Sequence, residues 1–334
     1  MKRKISVLLA ALTLSAGFLV VCGEKKVNEI VVYMPDGAPA LALAQLMAED
    51  TADDGVTYNV VPATMIASKV TNKDGAKNAD LCVMPLTAAS KLLGTGSEYT
   101  MLGAVTHGNL YLIAKDGAEY TAENLSTLVG KTVGVLQINE VPGLTFKAVL
   151  NKYEIAWQEV TNDGAKAEDK VNLLAITGAD AVGTVEADCF MIAEPAATAQ
   201  AKKGYSIVGS LQTLYGGENG YPQAVLVAKN ELLTTRAEWA QEFVSKVEGA
   251  ALWLNTASGE EIVAAVSAHM EDKATSTSLK APLLTSAVLG RCGIYFTYAS
   301  ACSAEVEGFL NAMIAVNSKA AAIPAQAFYW SYTK

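Results

Sequence analysis

The chain has 334 residues, of which 51% are hydrophobic and 18% charged, and its formal net charge is −9 at pH 7. An acidic chain without clustered lysine and arginine lacks the electrostatic footprint of a nucleic-acid-binding protein, so we exclude nucleic acid as a partner. The length exceeds what one hydrophobic core usually serves, so two lobes are expected.

The first 22 residues have the pattern of an export signal. A cationic start (Lys2, Arg3, Lys4) precedes an apolar run over 5–21, which ends at Cys22. We predict a signal peptide over 1–22, with a retained membrane-spanning anchor as the alternative. The run before Cys22 also resembles the lipobox of bacterial lipoproteins. This resemblance implies lipidation of Cys22 and an extracytoplasmic chain, lipid-anchored to the outer face of the bacterial cell membrane or periplasmic.

Short β-branched runs alternate with helical stretches after the signal. Strands are predicted over 29–33, 57–61 and 79–84, with helices over 40–49, near Met65 and over 88–93. A second series has a strand over 131–135, a helix over 142–150, a strand over 159–161, a helix near 169–174 and a strand over 187–192. This alternation predicts an α/β protein with two doubly wound, mainly parallel sheets.

Two apolar runs connect the two series. Residues 109–114 and 224–228 each precede a charged turn, as expected of strands that cross between lobes. The chain order predicts lobe one over 27–112 and 224–334, and lobe two over 113–223. The tail predicts a helix over 231–255, a second helix after the capping-box residues Ser258 and Glu261, and a third over 304–316 with Ser303 as its cap.

Four cysteines follow Cys22. Cys82 and Cys189 lie in apolar sequence and are interpreted as buried core residues. Cys292 and Cys302 flank a predicted strand and turn, so a disulfide between them is one hypothesis for an exported chain. No spacing of cysteine and histidine indicates a metal site, and no complete cofactor motif occurs, so neither a metal nor a cofactor is predicted.

The sequence offers little chemistry for catalysis. His269 lies in a polar helical stretch and is interpreted as solvated. His107 stands where a crossing strand begins, and it either contacts a ligand or makes ordinary structural hydrogen bonds. No pair of acidic residues can be placed beside a base, so we predict that the protein is not an enzyme.

Loops after the predicted strands offer a ligand site instead. Four such loops occur, over 35–40, 85–88, 136–142 and 193–196. In open α/β sheets, ligands bind in the crevice at the carboxyl ends of the strands. Each loop alone is also readable as an ordinary helix-capping turn, but their shared position in both series predicts one cleft between two lobes.

The order of these motifs resembles the solute-binding proteins of bacterial ABC importers, in particular the group that serves sulfonates, nitrate, taurine and thiamine pyrimidine precursors. The segments that carry the resemblance are 34–39 (MPDGAP), 80–85 (DLCVMP), 128–135 (LVGKTVGV), 192–195 (IAEP) and 220–227 (GYPQAVLV). They span nearly all of the chain after Cys22. The resemblance implies a type II periplasmic-binding fold, in which two lobes joined by two crossing strands close on one small molecule.

The same resemblance implies the partners and the site. The partners are a small-molecule solute, an ABC permease with its ATPase, and the membrane through a lipid anchor, and the chain itself is expected to be a monomer. The implied ligand contacts come from both lobes and from the crossings: Asp36, Gly37, Ala38, Thr87, Thr106, His107, Asn109, Gln137, Asn139, Val141, Glu194, Tyr221 and Gln223. Arg291 is a weaker candidate, for which a structural salt bridge is the preferred interpretation.

The charges of these loops bear on the ligand. Asp36, Glu140, Glu194 and Glu218 outnumber the cations Lys69, His107 and Arg291. This balance favours a neutral or amine-bearing ligand, for example a nitrogen heterocycle such as a thiamine precursor. Three alternatives stay open: an importer for a sulfonate- or nitrate-type anion, a signalling module, and an enzyme on the same scaffold, either pyrimidine synthase-like or a decarboxylase.

Overall fold

The computed structural model describes residues 29–51, 55–72, 78–216 and 220–332. The predicted signal peptide and Cys22 lie outside the described residues. Among the described helices, none combines the length and apolar character that crossing a membrane requires.

The described residues form two six-stranded sheets. The strands in chain order are β1 (Ile30–Pro35), β2 (Val56–Val61), β3 (Leu81–Pro85), β4 (Tyr99–Thr106), β5 (Leu110–Ala114), β6 (Thr132–Leu136), β7 (Trp157–Val160), β8 (Val171–Ile176), β9 (Cys189–Ala193), β10 (Ser206–Ser210), β11 (Ala224–Lys229) and β12 (Ile294–Tyr298). The first sheet has the order β12-β4-β11-β3-β1-β2, and the second has the order β10-β5-β9-β6-β8-β7. The predicted two-lobed α/β architecture is confirmed.

Helices connect and cover the strands. In chain order they are α1 (Ala38–Leu41), α2 (Ala44–Ala48), α3 (Ser68–Thr71), α4 (Leu86–Leu93), α5 (Val141–Lys152), α6 (Ala196–Ala201), α7 (Leu211–Tyr215), α8 (Asn230–Thr235), α9 (Ala237–Leu254), α10 (Gly259–Ala268), α11 (Ser286–Arg291) and α12 (Ala299–Val316). Short 3₁₀ turns occur at Ala63–Met65, Leu125–Leu128, Ala179–Ala181, Ala281–Leu283 and Gln326–Phe328.

Both sheets are mixed, although mainly parallel sheets were predicted. Strand pairs such as β1 with β3 and β6 with β9 run parallel, as βαβ units require. The strands next to the crossings instead pair antiparallel: β11 with β3 and β4, and β5 with β9 and β10. The strand through which the chain enters each sheet from the other, β11 in the first and β5 in the second, runs opposite to both of its neighbours.

The chain passes between the sheets through two short segments, 107–109 and 220–223. The predicted boundary at residue 112 falls inside β5, which pairs along its length within the second sheet. Residues 109–114 were expected to cross between lobes, but only the start of this run does so.

Other predicted elements differ from the structure in type or extent. The helix predicted near 169–174 is wrong, because Val171–Ile176 forms strand β8 between β6 and β7. A short, fully apolar run does not distinguish a buried strand from a buried helix. The helix predicted over 231–255 is divided at Arg236, and the last helix begins at Ala299 instead of after Ser303.

The capping box at Ser258 is confirmed, since its hydroxyl accepts from the Glu261 amide and the Glu261 carboxylate accepts from the Ser258 amide. The hypothesis of a disulfide between Cys292 and Cys302 is not supported, because both are free and buried. Cys292 and Cys302 belong to different clusters of the hydrophobic core, and burial raises the pKa of the Cys292 thiol to about 12.

One hydrophobic core continues from the first sheet into the second. It joins Met84 of β3 and Val133 of β6 to Phe309 of α12. Helix α5 contributes a continuous buried run from Val141 to Leu150, because it lies between the second sheet and α12. The two lobes therefore share a packed junction as well as the two crossing segments.

Candidate functional site

The two crossing segments lie side by side. The Gln223 amide donates to the Thr106 carbonyl over 2.8 Å, and the Leu86 amide donates to the Gln223 carbonyl over 2.9 Å. These bonds bring the ends of β4, β11 and β3 together, with the buried Thr87 next along the chain in α4. Gly220 is required beside them, because its φ is +69° and a Cβ would lie 2.6 Å from the His107 carbonyl oxygen.

His107 is buried at the start of the first crossing. Its ring stacks on Tyr295 with 3.6 Å between ring centroids, and its Nε2 lies 3.2 Å from the Thr297 hydroxyl. Burial lowers the pKa of His107 to about 4, because removing the imidazolium from water is costly. His107 is therefore neutral at pH 7 and does not supply a positive charge to the site.

Four polar atoms on the crossing segments are buried without a hydrogen-bond partner among the described residues: His107 Nδ1, Asn109 Oδ1, Tyr221 Oη and Gln223 Oε1. The Asn109 side chain is oriented by its Nδ2, which donates to the Glu194 carbonyl over 3.2 Å. Buried polar atoms in folded proteins almost always have a partner. These atoms therefore have unused hydrogen-bonding capacity, and each is shielded from solvent in this conformation.

Glu194 lies beside the crossing, but its carboxylate is already bound by the protein. Its backbone amide donates to the Asn109 carbonyl over 2.9 Å, and its side chain is fully buried. One carboxylate oxygen accepts from Arg291 Nε over 2.7 Å and from the Thr198 hydroxyl over 2.8 Å. The other accepts from the Thr198 amide over 3.0 Å. The salt bridge preferred for Arg291 is thus present, and it joins the two lobes.

The loop after β1 is also satisfied internally. The Asp36 carboxylate accepts from the Thr277 hydroxyl over 2.5 Å and from the Ser278 amide over 2.7 Å. Gly37 adopts a φ of +92°, and Ala38 begins α1, which lies against β4 and β12. Asp36 therefore holds the 277–278 segment over the end of β1.

The loop after β6 stays apart from the crossings. Gln137 and Asn139 are exposed, whereas Val141 is buried at the start of α5. Gln137 has a φ of +45°, and the Asn139 side-chain oxygen lies 3.5 Å from Lys147 Nζ. Within the described ranges, no hydrogen bond joins this loop to the crossing segments.

Tyr221 faces the junction between the lobes. Its ring stacks on Phe309 with 4.9 Å between centroids, and Tyr215 packs edge-on against both rings. The structure thus brings together Thr87, Thr106, His107, Asn109, Glu194 and Gln223, whereas Asp36 and the 137–141 loop make their own local contacts.

Sequence reasoning missed Tyr295, Thr297 and Thr198. Tyr295 and Thr297 belong to β12, which enters the first sheet about 190 residues after His107. Nothing in the local sequence marks that pairing. Thr198 carried a readable signal, because it follows Glu194 by four residues at the start of a predicted turn.

The remaining candidate cation lies elsewhere. Lys69 lies in α3 of the first lobe. Its Nζ is 2.6 Å from the Glu271 carboxylate and lies over the Tyr33 ring. Among the described residues, no group of three or more histidine, cysteine or acidic side chains could hold a metal ion. The crossing therefore combines neutral polar groups with one compensated ion pair.

Comparisons with known proteins give the fold. The chain has the two-lobed fold of type II periplasmic binding proteins. An ABC transporter structure from Parabacteroides distasonis matches with a TM-score of 0.68 and 17% identity, over 92% of this chain and 100% of that one. The periplasmic aliphatic sulphonate binding protein SsuA from Escherichia coli matches with a TM-score of 0.62 and 15% identity, over 92% and 93%.

A mutant of DszB in complex with biphenyl-2-sulfinic acid also matches, with a TM-score of 0.56 and 15% identity, over 86% of this chain and 93% of that one. The sequence matches no protein-family model and no curated protein. At these identities the similarity establishes the fold and does not identify a ligand.

Proposed function

We propose that this protein is the extracytoplasmic solute-binding component of an ABC importer, and that its lobes close on one small molecule which it delivers to a permease. The observation that carries the proposal is the set of buried, unpartnered polar atoms on the two crossing segments (His107 Nδ1, Asn109 Oδ1, Tyr221 Oη, Gln223 Oε1). In this proposal a ligand binds at the crossing segments, about which the two lobes move. The ligand makes more contacts when the lobes are closed than when they are open, and this difference in binding free energy favours the closed state.

The ligand in this proposal is neutral or amine-bearing. Asn109 Oδ1 and Gln223 Oε1 are acceptors, so they select a ligand with N–H or O–H donors. When Nε2–H of His107 donates to Thr297, Nδ1 is a third acceptor. His107 is uncharged, and the charge of Arg291 is compensated by Glu194. A nitrogen heterocycle of the thiamine-precursor kind meets these requirements.

Location and partners belong to the same proposal. The export pattern over 1–22 and the lipobox-like Cys22 support a chain tethered to the outer face of the membrane. We propose that it acts there as a monomer, next to a permease and its ATPase. In this arrangement the exposed Gln137 and Asn139 contribute from the second lobe, and Gly37 and Ala38 contribute from the first.

The experiment that tests the receptor role is a ligand screen on the mature protein. Small molecules released from freshly purified protein are identified by mass spectrometry. The stripped protein is then heated with a panel of pyrimidines, amines, amino acids and sulfonates. One neutral or amine-bearing solute should raise the Tm by several degrees through binding linkage. A panel of these classes that leaves the Tm unchanged would contradict the proposal.

Gln223→Met separates a binding role from a structural one. The variant removes a buried oxygen that has no protein partner, so the Tm of the stripped protein should stay the same or rise. Affinity for the solute should fall about 3- to 10-fold, the value of one hydrogen bond. The matched control is Gln200→Met, because Gln200 Nε2 donates to the Ala179 carbonyl over 2.6 Å. That control should lower the Tm and leave affinity intact.

An enzyme on this scaffold has less support. The proteins of similar fold are mostly binding proteins, although the DszB enzyme shares the fold. A histidine with a pKa of about 4 is a weak general base at neutral pH. Turnover of a panel member that disappears in His107→Ala would favour catalysis over transport.

A further inference from the structure

Glu194 and Arg291 meet across the boundary between the lobes. Glu194 follows β9 of the second sheet, and Arg291 ends α11, just before β12 of the first. Their side chains are 2.7 Å apart, and Arg291 Nη2 also donates to the Thr198 hydroxyl over 2.8 Å. The side chain of Glu194 is 0% exposed, whereas that of Arg291 is 34% exposed. The pair is therefore open to the surface only on the arginine side.

The donors around the Glu194 carboxylate are those that bind free anions. They are a guanidinium N–H, a backbone amide and a hydroxyl, all within 3.0 Å of its oxygens. Guanidinium and amide donors recognise carboxylates, sulfonates and phosphates with the same geometry. In this chain the anion is supplied by the protein itself.

We propose that Glu194 is a specificity-determining residue, which fills an anion site formed by Arg291 and Thr198 with its own carboxylate and so excludes anionic solutes from the cleft. The proposal rests on the proposed receptor function and extends it to the charge of the solute. Because Glu194 is covalently attached, its effective concentration at these donors exceeds that of any free anion. A second anion beside it would also meet a like charge in a site shielded from water.

The test removes the internal carboxylate. Glu194→Ala leaves a cavity lined by the Arg291 and Thr198 donors. Sulfate or methanesulfonate at about 10 mM, compared with chloride at the same ionic strength, should raise its Tm by about 2–4 °C. The unmodified protein should show no anion-specific rise. A folded Glu194→Ala variant without such a rise would overturn the proposal.

Two controls separate this site from a general effect of charge. Glu123→Ala removes an exposed carboxylate whose hydrogen-bond partner is the Thr121 hydroxyl, so it exposes no cation and its Tm should not respond to anion type. The double variant Glu194→Ala, Arg291→Met should lose the response. An equal response in Glu123→Ala, or a response that persists without Arg291, would overturn the proposal.

Glu194→Gln keeps the side-chain volume but removes the negative charge. Its amide still fills the cavity, so the anions should have no effect on its Tm. A rise in Tm equal to that of Glu194→Ala would overturn the proposal.

If Glu194→Ala fails to fold, its refolding yield with acetate or methanesulfonate is measured instead. Rescue by these anions supports the site, and no rescue overturns it. The solute screen on the unmodified protein involves none of these variants, so either proposal can fail alone.

Discussion

His107 makes stability depend on pH in a definite direction. Burial lowers its pKa from 6.5 to about 4 in the folded protein. The unfolded chain therefore binds a proton as the pH falls through 6.5, whereas the folded chain does so only near pH 4. Its contribution is complete above pH 6.5 and is lost between pH 6.5 and 4, with an upper limit of about 3 kcal/mol.

The variant that tests this is His107→Phe, which keeps a ring stacked on Tyr295 but cannot be protonated. Urea unfolding at pH 7 and pH 5 should show the unmodified protein losing about 2 kcal/mol more than the variant over that interval. Equal losses in the two proteins would show that His107 does not titrate differently on folding.

The positions of the candidate residues on the crossing segments could be read from the sequence, but their partners could not. Asn109 and Gln223 lie on these segments because they adjoin the apolar runs that connect the two series of strands. The bond of Asp36 to Thr277 and the ion pair of Glu194 with Arg291 were not predictable, because these partners are 241 and 97 residues away in the chain. The charge balance read from the sequence counted Glu194 and Arg291 as separate charges, although they form one ion pair.

At the scale of elements, α5 carries a buried cation. The Lys147 side chain is 3% exposed and lies 2.6 Å from the carboxylate of Glu159 in β7, which is 47% exposed. Its Nζ also lies 5.2 Å from the centroid of the Trp157 ring. The two partners therefore differ in exposure. If the ion pair is broken, the Glu159 carboxylate can be solvated, whereas the Lys147 ammonium stays buried.

That asymmetry predicts unequal costs for the two halves of the pair. Glu159→Ala leaves a buried ammonium without its main partner and should lower the free energy of unfolding by about 2–3 kcal/mol. Lys147→Met removes the buried charge and leaves an exposed carboxylate, so it should cost less than about 1 kcal/mol. Denaturant unfolding of both variants measures the difference, and a larger loss for Lys147→Met would contradict this account.

Helices and strands with a clear hydrophobic period or a capping motif were predictable from the sequence. Elements whose type depends on contacts with distant parts of the chain were not. The capping box at Ser258 placed α10 correctly, because its signal is local. Strand β8 was predicted as a helix, because its residues are buried on both faces and show no alternation. The single helix predicted over 231–255 is two, since the hydroxyls of Thr234 and Thr235 bond to carbonyls four residues back, just before the break at Arg236.

At the scale of the whole molecule, the shared core should make both lobes unfold together. Phe309 of α12 is fully buried against Tyr215 and Tyr221, between elements of both lobes. Phe309→Ala should cost about 3–5 kcal/mol and leave one calorimetric transition at a lower temperature. Leu252→Ala is the control, because Leu252 is 73% exposed on α9. Two separate transitions in the unmodified protein would contradict the shared core.

The two-lobed plan was visible in the sequence because two alternating series are separated by apolar crossing runs. The mixed character of the sheets was not visible. It depends on which strands become neighbours after the chain returns, and β12 joins β4 across nearly 190 residues. Local sequence carries no record of such pairings.

The late position of α12 in the chain has a consequence for synthesis. The first sheet takes strands from both ends of the polypeptide, and the aromatic ring that packs the junction belongs to residue 309. A growing chain therefore holds apolar surface uncovered until its last few dozen residues have emerged. Premature stop codons even close to the end should therefore yield aggregation-prone products that cellular proteases remove, and not shortened proteins that are folded.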